Sequence, residues 1–197
     1  MLEISPRFTA RIAGVLYMLI FIAAPAGAAS ATLTRMVITL TCDTSVAIIF
    51  YFLFRPVSRS ISLLAAIFRL LLIAMLAIDS LNFFGGFNLF DVGHSAAAFD
   101  KLDAFSLVPF GVHCVLIGYL IFKSKFFPRF LGTLMVIAGL GWLTFVSPSL
   151  GHHLYPYNLI PGVVGEGALT LWLIVIGLNE KQWNSCAALR QRRWAGS

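Results

Sequence analysis

The chain has 197 residues, of which 59% are hydrophobic and only 11% are charged. Soluble domains carry roughly 25% charged and 45–50% apolar residues, so this composition excludes an ordinary soluble domain. The net charge of +6 does not indicate nucleic acid as a partner, because the basic residues flank apolar segments and form no nucleic-acid-binding motif.

Six apolar blocks, each close to the roughly 20 residues that cross a bilayer as a helix, account for nearly the whole chain. In chain order they cover residues 12–30, 37–54, 61–84, 103–122, 130–147 and 159–178. Most of the blocks lack a polar face at helical period, and none alternates like a strand of a membrane barrel. The sequence therefore predicts an all-α, polytopic transmembrane bundle of six helices as one domain, residues 1–180, followed by a basic tail, residues 181–197.

The basic residues are distributed unequally between the two sides of these predicted spans. Eleven of the 14 lie before the first block, in alternate connections or in the tail: Arg7, Arg11, Arg55, Arg59, Lys123, Lys125, Arg129, Lys181, Arg190, Arg192 and Arg193. The opposite side has only Arg35 and Lys101. Because short loops rich in Lys and Arg stay in the cytoplasm, we expect both termini to be cytoplasmic. The lipid bilayer is the expected partner, with the tail near anionic lipid heads.

The first block has a second interpretation. Arg7 and Arg11 precede an apolar stretch and then the small residues of PAGAASA, a pattern that also fits a cleavable signal peptide. Small residues equally suit close packing between membrane helices, and we favour a retained first helix. The mass of the intact protein would distinguish the two.

Four ionisable residues lie deep inside different blocks, where a charge is costly and usually faces the interior of the bundle. Counting about 1.5 Å per residue from the predicted cytoplasmic ends places Arg69, His113, Asp43 and Glu166 at depths of about 12, 14, 16 and 18 Å. A fifth, Asp79, falls nearer the outer surface. The shared depth of the four predicts a polar cluster near the middle of the membrane, which is a candidate site for a ligand or a proton.

Arg69 is expected to pair with Asp43 or with Glu166, because a guanidinium can hold a carboxylate through two parallel hydrogen bonds. Polar side chains on the same helical faces are expected to support the cluster: Thr39, Ser106 and Thr170. The glycines of PGVVGEG, residues 161–167, predict a weakened or unwound start of the last helix, as in the binding sites of several transporters. Their alternative role is close helix packing.

No metal site or cofactor is expected. His94, His152 and His153 lie in predicted external loops without the ligand spacing of a zinc site. No nucleophile, phosphate-binding or dinucleotide motif is present. Cys42 and Cys114 fall inside apolar blocks, where cysteine usually behaves as a small hydrophobic residue.

Four stretches resemble a family of bacterial six-helix membrane proteins, domain of unknown function 4386: RIAGVLYMLIFIA, FRPVSRSISLLAAIFRL, GVHCVLIGYLIFKSKFFPRFLG and GVVGEGALTLWLIVIGLN. The resemblance covers roughly residues 9–179 and includes Arg69, His113 and Glu166 in their local contexts. It implies a multi-pass protein of the bacterial cytoplasmic (inner) membrane that keeps its first helix. It implies no activity.

Three functions are compatible with the predicted cluster. The first is a proton-linked small-molecule transporter or transporter subunit, in which the acids exchange protons, Arg69 binds or locks an anionic group and His113 relays protons. Six helices are few for a transporter monomer, so a homodimer fits this hypothesis. The second is an intramembrane enzyme acting on a lipid-like substrate with His113 as base. The third is an accessory protein with a purely structural buried ion-pair network.

Overall fold

The computed structural model of the chain describes residues 5–23, 33–85 and 101–195. These residues form eight α-helices and one short 3-10 turn, Thr144–Val146, and contain no strand. In chain order the helices are α1 Pro6–Ala23, α2 Leu33–Phe54, α3 Arg59–Gly85, α4 Lys101–Lys123, α5 Arg129–Leu143, α6 Pro148–Leu154, α7 Leu159–Val175 and α8 Glu180–Ala195.

Among the described residues, five segments are long and apolar enough to cross a membrane on their own: they lie in α1 to α4 and in α5 together with the 3-10 turn that follows it. Helix α7 has 17 residues, which is the short end of the usual range of about 17–25, and it counts as a sixth span if it is joined to α8 across a bend of 98°. The all-α transmembrane bundle is therefore confirmed, with five to six candidate spans. The cytoplasmic location of the termini stays a prediction.

The first helix differs from its predicted bounds. It begins at Pro6 rather than near residue 12, because Arg7 and Arg11 are part of the helix and bond to the end of α7. The Arg7 Nε donates to the carbonyl of Ile176 at 3.1 Å, and the Arg11 Nη2 donates to that of Val175 at 3.1 Å. Orphan carbonyls at the end of a helix need such donors. The predicted end of the block, residues 24–30, lies outside the described residues.

Helices α1 to α5 and α7 form a closed ring. Each packs against its neighbour in the order α1, α2, α3, α4, α5, α7 and back to α1. Helix α1 runs antiparallel to both its neighbours, because its start meets the end of α7 and its end meets Arg35 at the start of α2. Helices α2 and α7 are therefore parallel to each other. Side chains that point into the ring share one interior.

Helices α4 and α5 approach each other through glycines spaced seven residues apart. A Cβ added to Gly111 would lie 2.9 Å from the carbonyl oxygen of Gly139, and one added to Gly139 would lie 2.6 Å from that of Gly111. Gly118 and Gly132 form a second reciprocal pair, at 2.8 and 2.9 Å. Small residues that let two backbones meet are a common means of helix association in lipid.

The predicted basic tail contains helix α8, which crosses the end of the bundle beside α2. The Trp183 Nε1 donates to the carbonyl of Leu53 at 2.8 Å, and the Cys186 thiol lies 3.5 Å from the carbonyl of Pro56. The Trp183 contact supplies a donor to a carbonyl in the last turn of α2, where the helix has no partners of its own, and the Cys186 contact is made to the turn that follows.

Candidate functional site

Arg69 lies inside the ring with 1% of its surface exposed. Of its two predicted partners, the structure pairs it with Asp43: the Arg69 Nε and Nη2 donate to the same carboxylate oxygen, Oδ1, at 2.9 and 2.5 Å. Asp43 is itself buried. A charge isolated in this position would be very costly, so the ion pair accounts for the arginine in the middle of an apolar helix.

The other side of the guanidinium contacts two further helices. The Arg69 Nη1 donates to the Tyr17 hydroxyl of α1 at 3.0 Å and lies 3.1 Å from the Nε2 of His113 on α4. The Arg69 Cζ also lies 4.6 Å from the centre of the Tyr17 ring and 5.5 Å from that of Phe110. Such distances give cation–π attraction in addition to the hydrogen bonds. Side chains from three other helices, α1, α2 and α4, therefore hold this one guanidinium.

His113 is held through both of its ring nitrogens. Its Nδ1 lies 2.8 Å from the carbonyl oxygen of Ala65, and because a carbonyl can only accept, the Nδ1 carries the hydrogen. Arg69 can only donate, so the Nε2 accepts. The imidazole ring also stacks with the rings of Phe50 and Phe110, with centroids 6.5 and 5.9 Å away. The geometry corresponds to a neutral histidine with a fixed orientation.

Glu166 does not contact Arg69 directly. Its Oε2 accepts from the Tyr17 hydroxyl at 3.3 Å, and its Oε1 accepts from the Trp142 indole N–H at 2.8 Å. Only 5% of Glu166 is exposed. Tyr17 therefore joins Glu166 to Arg69, and one connected network includes a side chain from each of the six helices of the ring. We call these six residues the central network: Tyr17, Asp43, Arg69, His113, Trp142 and Glu166.

Two members of the central network were missed by reasoning from the sequence. Tyr17 and Trp142 count as apolar in a hydropathy pattern, although both carry a hydrogen-bond donor. Tyr17 lies 11 residues after Pro6, at about 16 Å, the depth estimated for Asp43, but this agreement appears only when α1 is counted from Pro6 rather than from residue 12. Trp142 lies next to the end of α5, where tryptophan is common in membrane helices, so its position in the sequence gave no signal of a buried polar partner.

The expectation of an unwound α7 is wrong, because Leu159–Val175 is a continuous helix. Gly162 instead makes room for a ring: a Cβ at this position would lie 2.3 Å from the Cζ2 of Trp142. Gly165 allows close contact with α5, since its Cβ would lie 2.6 Å from the carbonyl oxygen of Leu134. The glycines thus bring α5 against α7 and allow the indole to reach Glu166.

The three predicted supporting residues are buried. Thr39 lies four residues before Asp43 on α2, Thr170 lies four residues after Glu166 on α7, and Ser106 lies seven residues before His113 on α4. In the described part of the chain, the hydroxyls of Thr39 and Thr170 have no hydrogen-bond partner. The Asp79 side chain and His94 lie outside the described residues. Among those described, no three His, Cys, Asp or Glu side chains are grouped to hold a metal ion.

A closed ring of apolar helices around a buried polar network defines a multi-span helical membrane protein. The sequence profile of the family described as "Domain of unknown function (DUF4386)" matches residues 22–177, and the chain belongs to this family. The matched range contains Asp43, Arg69, His113 and Glu166, while Tyr17 precedes it.

The chain is similar to a protein of Archaeoglobus fulgidus named "Uncharacterized protein", with 32% identity over 136 residues. The similar region covers 68% of this chain and 76% of that relative. No solved structure matches the chain. The bacterial source and the cytoplasmic membrane remain predictions.

Proposed function

We propose that the protein is a proton-linked membrane transporter, or a subunit of one, in which Glu166 takes up and releases the proton. The observation that carries this proposal is the pairing within the central network. The guanidinium is balanced by Asp43, whereas Glu166 is held by two neutral donors, Tyr17 and Trp142. Ionisable residues inside membrane bundles commonly mark ion pathways and proton relays.

A charge count supports this role for Glu166. The network contains one guanidinium, two carboxyl groups and, from its hydrogen bonds, a neutral histidine. With Asp43 and Glu166 both ionised, it carries one uncompensated negative charge in an apolar interior, which is unfavourable. With a proton on Glu166, it is neutral. The network therefore has two states that differ by one proton, and exchange between such states is what proton coupling needs.

Tyr17 gives these two states different hydrogen bonds. When Glu166 is ionised, its two oxygens accept from Tyr17 and from Trp142. When Glu166 is protonated, its own O–H needs an acceptor, and the Tyr17 oxygen lies within reach. The Tyr17 hydroxyl must then turn away from Glu166, while its oxygen still accepts from Arg69. The protonation of Glu166 thus changes the orientation of the Tyr17 hydroxyl, the group that connects Glu166 to Arg69.

The two unpartnered threonines lie on opposite sides of the network. Because α2 and α7 are parallel, Thr39, which precedes Asp43, and Thr170, which follows Glu166, lie towards opposite ends of the bundle. Each is about 6 Å along its helix from the nearest carboxyl residue. Buried hydroxyls usually find a partner, so water or a polar substrate group at these positions would extend the network towards both sides. A transporter needs such access from two sides.

We propose that Arg69 acts as a lock rather than as a free anion site, because Asp43 already holds its guanidinium. The enzyme hypothesis is less well supported. A base must reach a substrate, whereas both ring nitrogens of His113 have protein partners and the ring stacks with two phenylalanines. The homodimer stays a proposal attached to the transporter hypothesis.

Proteoliposomes with an internal pH dye test the proposal. Candidate small molecules are added outside wild-type protein and Glu166→Gln, whose amide can still accept from Trp142. We expect at least one compound to move protons through the wild type and to move none through the variant. Equal proton movement by both proteins would remove Glu166 from the mechanism. As a matched control, Glu180→Gln changes an acid at the start of α8 and should transport normally.

A further inference from the structure

A groove of about 630 Å³ opens at one end of the bundle, where the chain turns from α7 into α8. Its walls come from the start of α1, the turn between α4 and α5, the end of α7 and the start of α8. The groove lies at the end of the bundle and shares no lining residue with the central network. We call it the α7–α8 groove.

The α7–α8 groove carries an excess of positive charge. Arg7, Lys125 and Lys181 line it from three separate segments, and all three are exposed. Among its described lining residues the one acid is Glu180, whose carboxylate accepts from the Ser5 hydroxyl. The first turn of α8 also lies in the wall, but its Gln182 N–H already donates to the Asn179 Oδ1 at 3.3 Å, so the positive charge of the groove comes from the three basic side chains.

Apolar surface continues from the groove along the bundle. Leu171 and Val175 on α7 and Phe130 on α5 are all more than half exposed. The Phe130 ring packs edge-on against Trp172, which also lines the groove, with centroids 5.6 Å apart. Since α5 begins and α7 ends at this level, the groove lies where the hydrocarbon core of a membrane meets the headgroups.

We propose that the α7–α8 groove binds the phosphate headgroup of an anionic phospholipid, whose acyl chains lie along Leu171, Val175 and Phe130. Basic pockets between membrane helices bind such headgroups through charge. The adjoining apolar surface favours a lipid over free phosphate. The excess of positive charge favours an anionic headgroup over a zwitterionic one.

The test uses the full chain purified in a neutral detergent and native mass spectrometry. The probes are phosphatidylglycerol, phosphatidylcholine with the same acyl chains, and inorganic phosphate. We expect phosphatidylglycerol to bind the wild type at least about tenfold more tightly than phosphatidylcholine. Attraction of the anionic headgroup by one to two basic side chains is enough to produce this difference. Equal affinity for the two lipids, or an affinity for inorganic phosphate that matches phosphatidylglycerol, would overturn the proposal.

A pair of double variants separates the groove from general surface charge. Lys125→Gln with Lys181→Gln removes two lining charges and should weaken phosphatidylglycerol binding by about 30-fold. Lys123→Gln with Arg129→Gln removes two exposed charges that flank the groove without lining it, and should change binding by less than about threefold. Equal losses in both would contradict a defined site. Arg7 is kept, because it bonds to α7, and the comparison of lipids in the wild type stands even if a variant fails to fold.

Discussion

The central network contains two buried carboxyl groups in contrasting surroundings. Asp43 faces a guanidinium and forms an ion pair, while Glu166 faces the hydroxyl of Tyr17 and the indole of Trp142, neither of which carries a charge. Two acids of similar chemistry, in parallel helices at similar depth, are therefore suited to different tasks. The Asp43 pair fixes the packing of α2 and α3, and Glu166 is free to change its charge without breaking an ion pair.

The largest effect is expected when the ion pair is broken. Asp43→Leu leaves the Arg69 guanidinium buried without a counter-charge, and we expect the free energy of unfolding to fall by about 3–5 kcal/mol. Reversible unfolding in mixed micelles measures the change. The double variant Asp43→Leu with Arg69→Met should lose much less than Asp43→Leu alone, because replacing a whole buried pair by apolar residues is often tolerated.

This double variant also tests the structural role. If the ion pair only holds the bundle together, the apolar replacement should keep the function, as expected for an accessory protein. Under the transporter proposal it should fold and lose proton-coupled transport, because Arg69 no longer connects the two carboxyl groups. Normal transport would contradict the lock assigned to Arg69.

The next effect concerns the surroundings of Glu166. Gly162→Ala places a Cβ 2.3 Å from the Trp142 ring, so the indole must shift away from Glu166, and we expect a loss of about 1–3 kcal/mol. The matched control is Gly167→Ala on the same helix, where an added Cβ meets nothing within 4 Å and the stability should change by less than about 1 kcal/mol. We expect the tryptophan fluorescence to shift in Gly162→Ala and not in Gly167→Ala, because only the first variant displaces the Trp142 indole. Equal stability of the two variants would argue against the packing described for Trp142.

Tyr17→Phe removes the link between the two halves of the network. The ring stays and keeps its contact with Arg69, but the hydroxyl that accepts from Arg69 and donates to Glu166 is lost. We expect a loss of about 1–3 kcal/mol. A double-mutant cycle with Glu166→Gln should give a coupling energy above about 0.5 kcal/mol, since the two residues share a hydrogen bond. Additive effects would show that Tyr17 does not couple them.

The smallest effect on stability is expected for Glu166→Gln. The amide has the shape of the protonated acid and retains an acceptor for Trp142 and a donor for Tyr17. We expect the free energy of unfolding to change by less than about 1 kcal/mol. A loss as large as that of Asp43→Leu would mean that Glu166 is a structural charge, and the contrast between the two acids would disappear.

Residue counting predicted the shared depth of the four ionisable groups, because a helix has a fixed rise and a membrane aligns its spans. The same counting left open whether Arg69 pairs with Asp43 or Glu166. That choice depends on the order of the helices around the ring and on the rotation of each helix about its axis. Nearly uniformly apolar helices have no polar face from which this order and rotation could be predicted.

The continuity of α7 was missed for a related reason. Glycine lowers helix stability in water, but in lipid the backbone has no alternative hydrogen-bond partner, so a glycine-rich segment stays helical. The role of Gly162 became evident only in the structure, because the side chain that packs against it, Trp142, belongs to a different helix, α5. Sequence patterns therefore did not predict which residues from distant parts of the chain pack against each other in the site.

The most direct test of the central claim is infrared spectroscopy of the protonated carboxyl group of Glu166 during a pH titration of the purified protein. We predict a carboxylic-acid band in the wild type that is lost reversibly as the pH rises, is absent from Glu166→Gln and persists in the control Glu180→Gln. A wild type without such a band, or a Glu166→Gln variant that still shows it unchanged, would contradict the account of Glu166 as the group that exchanges a proton.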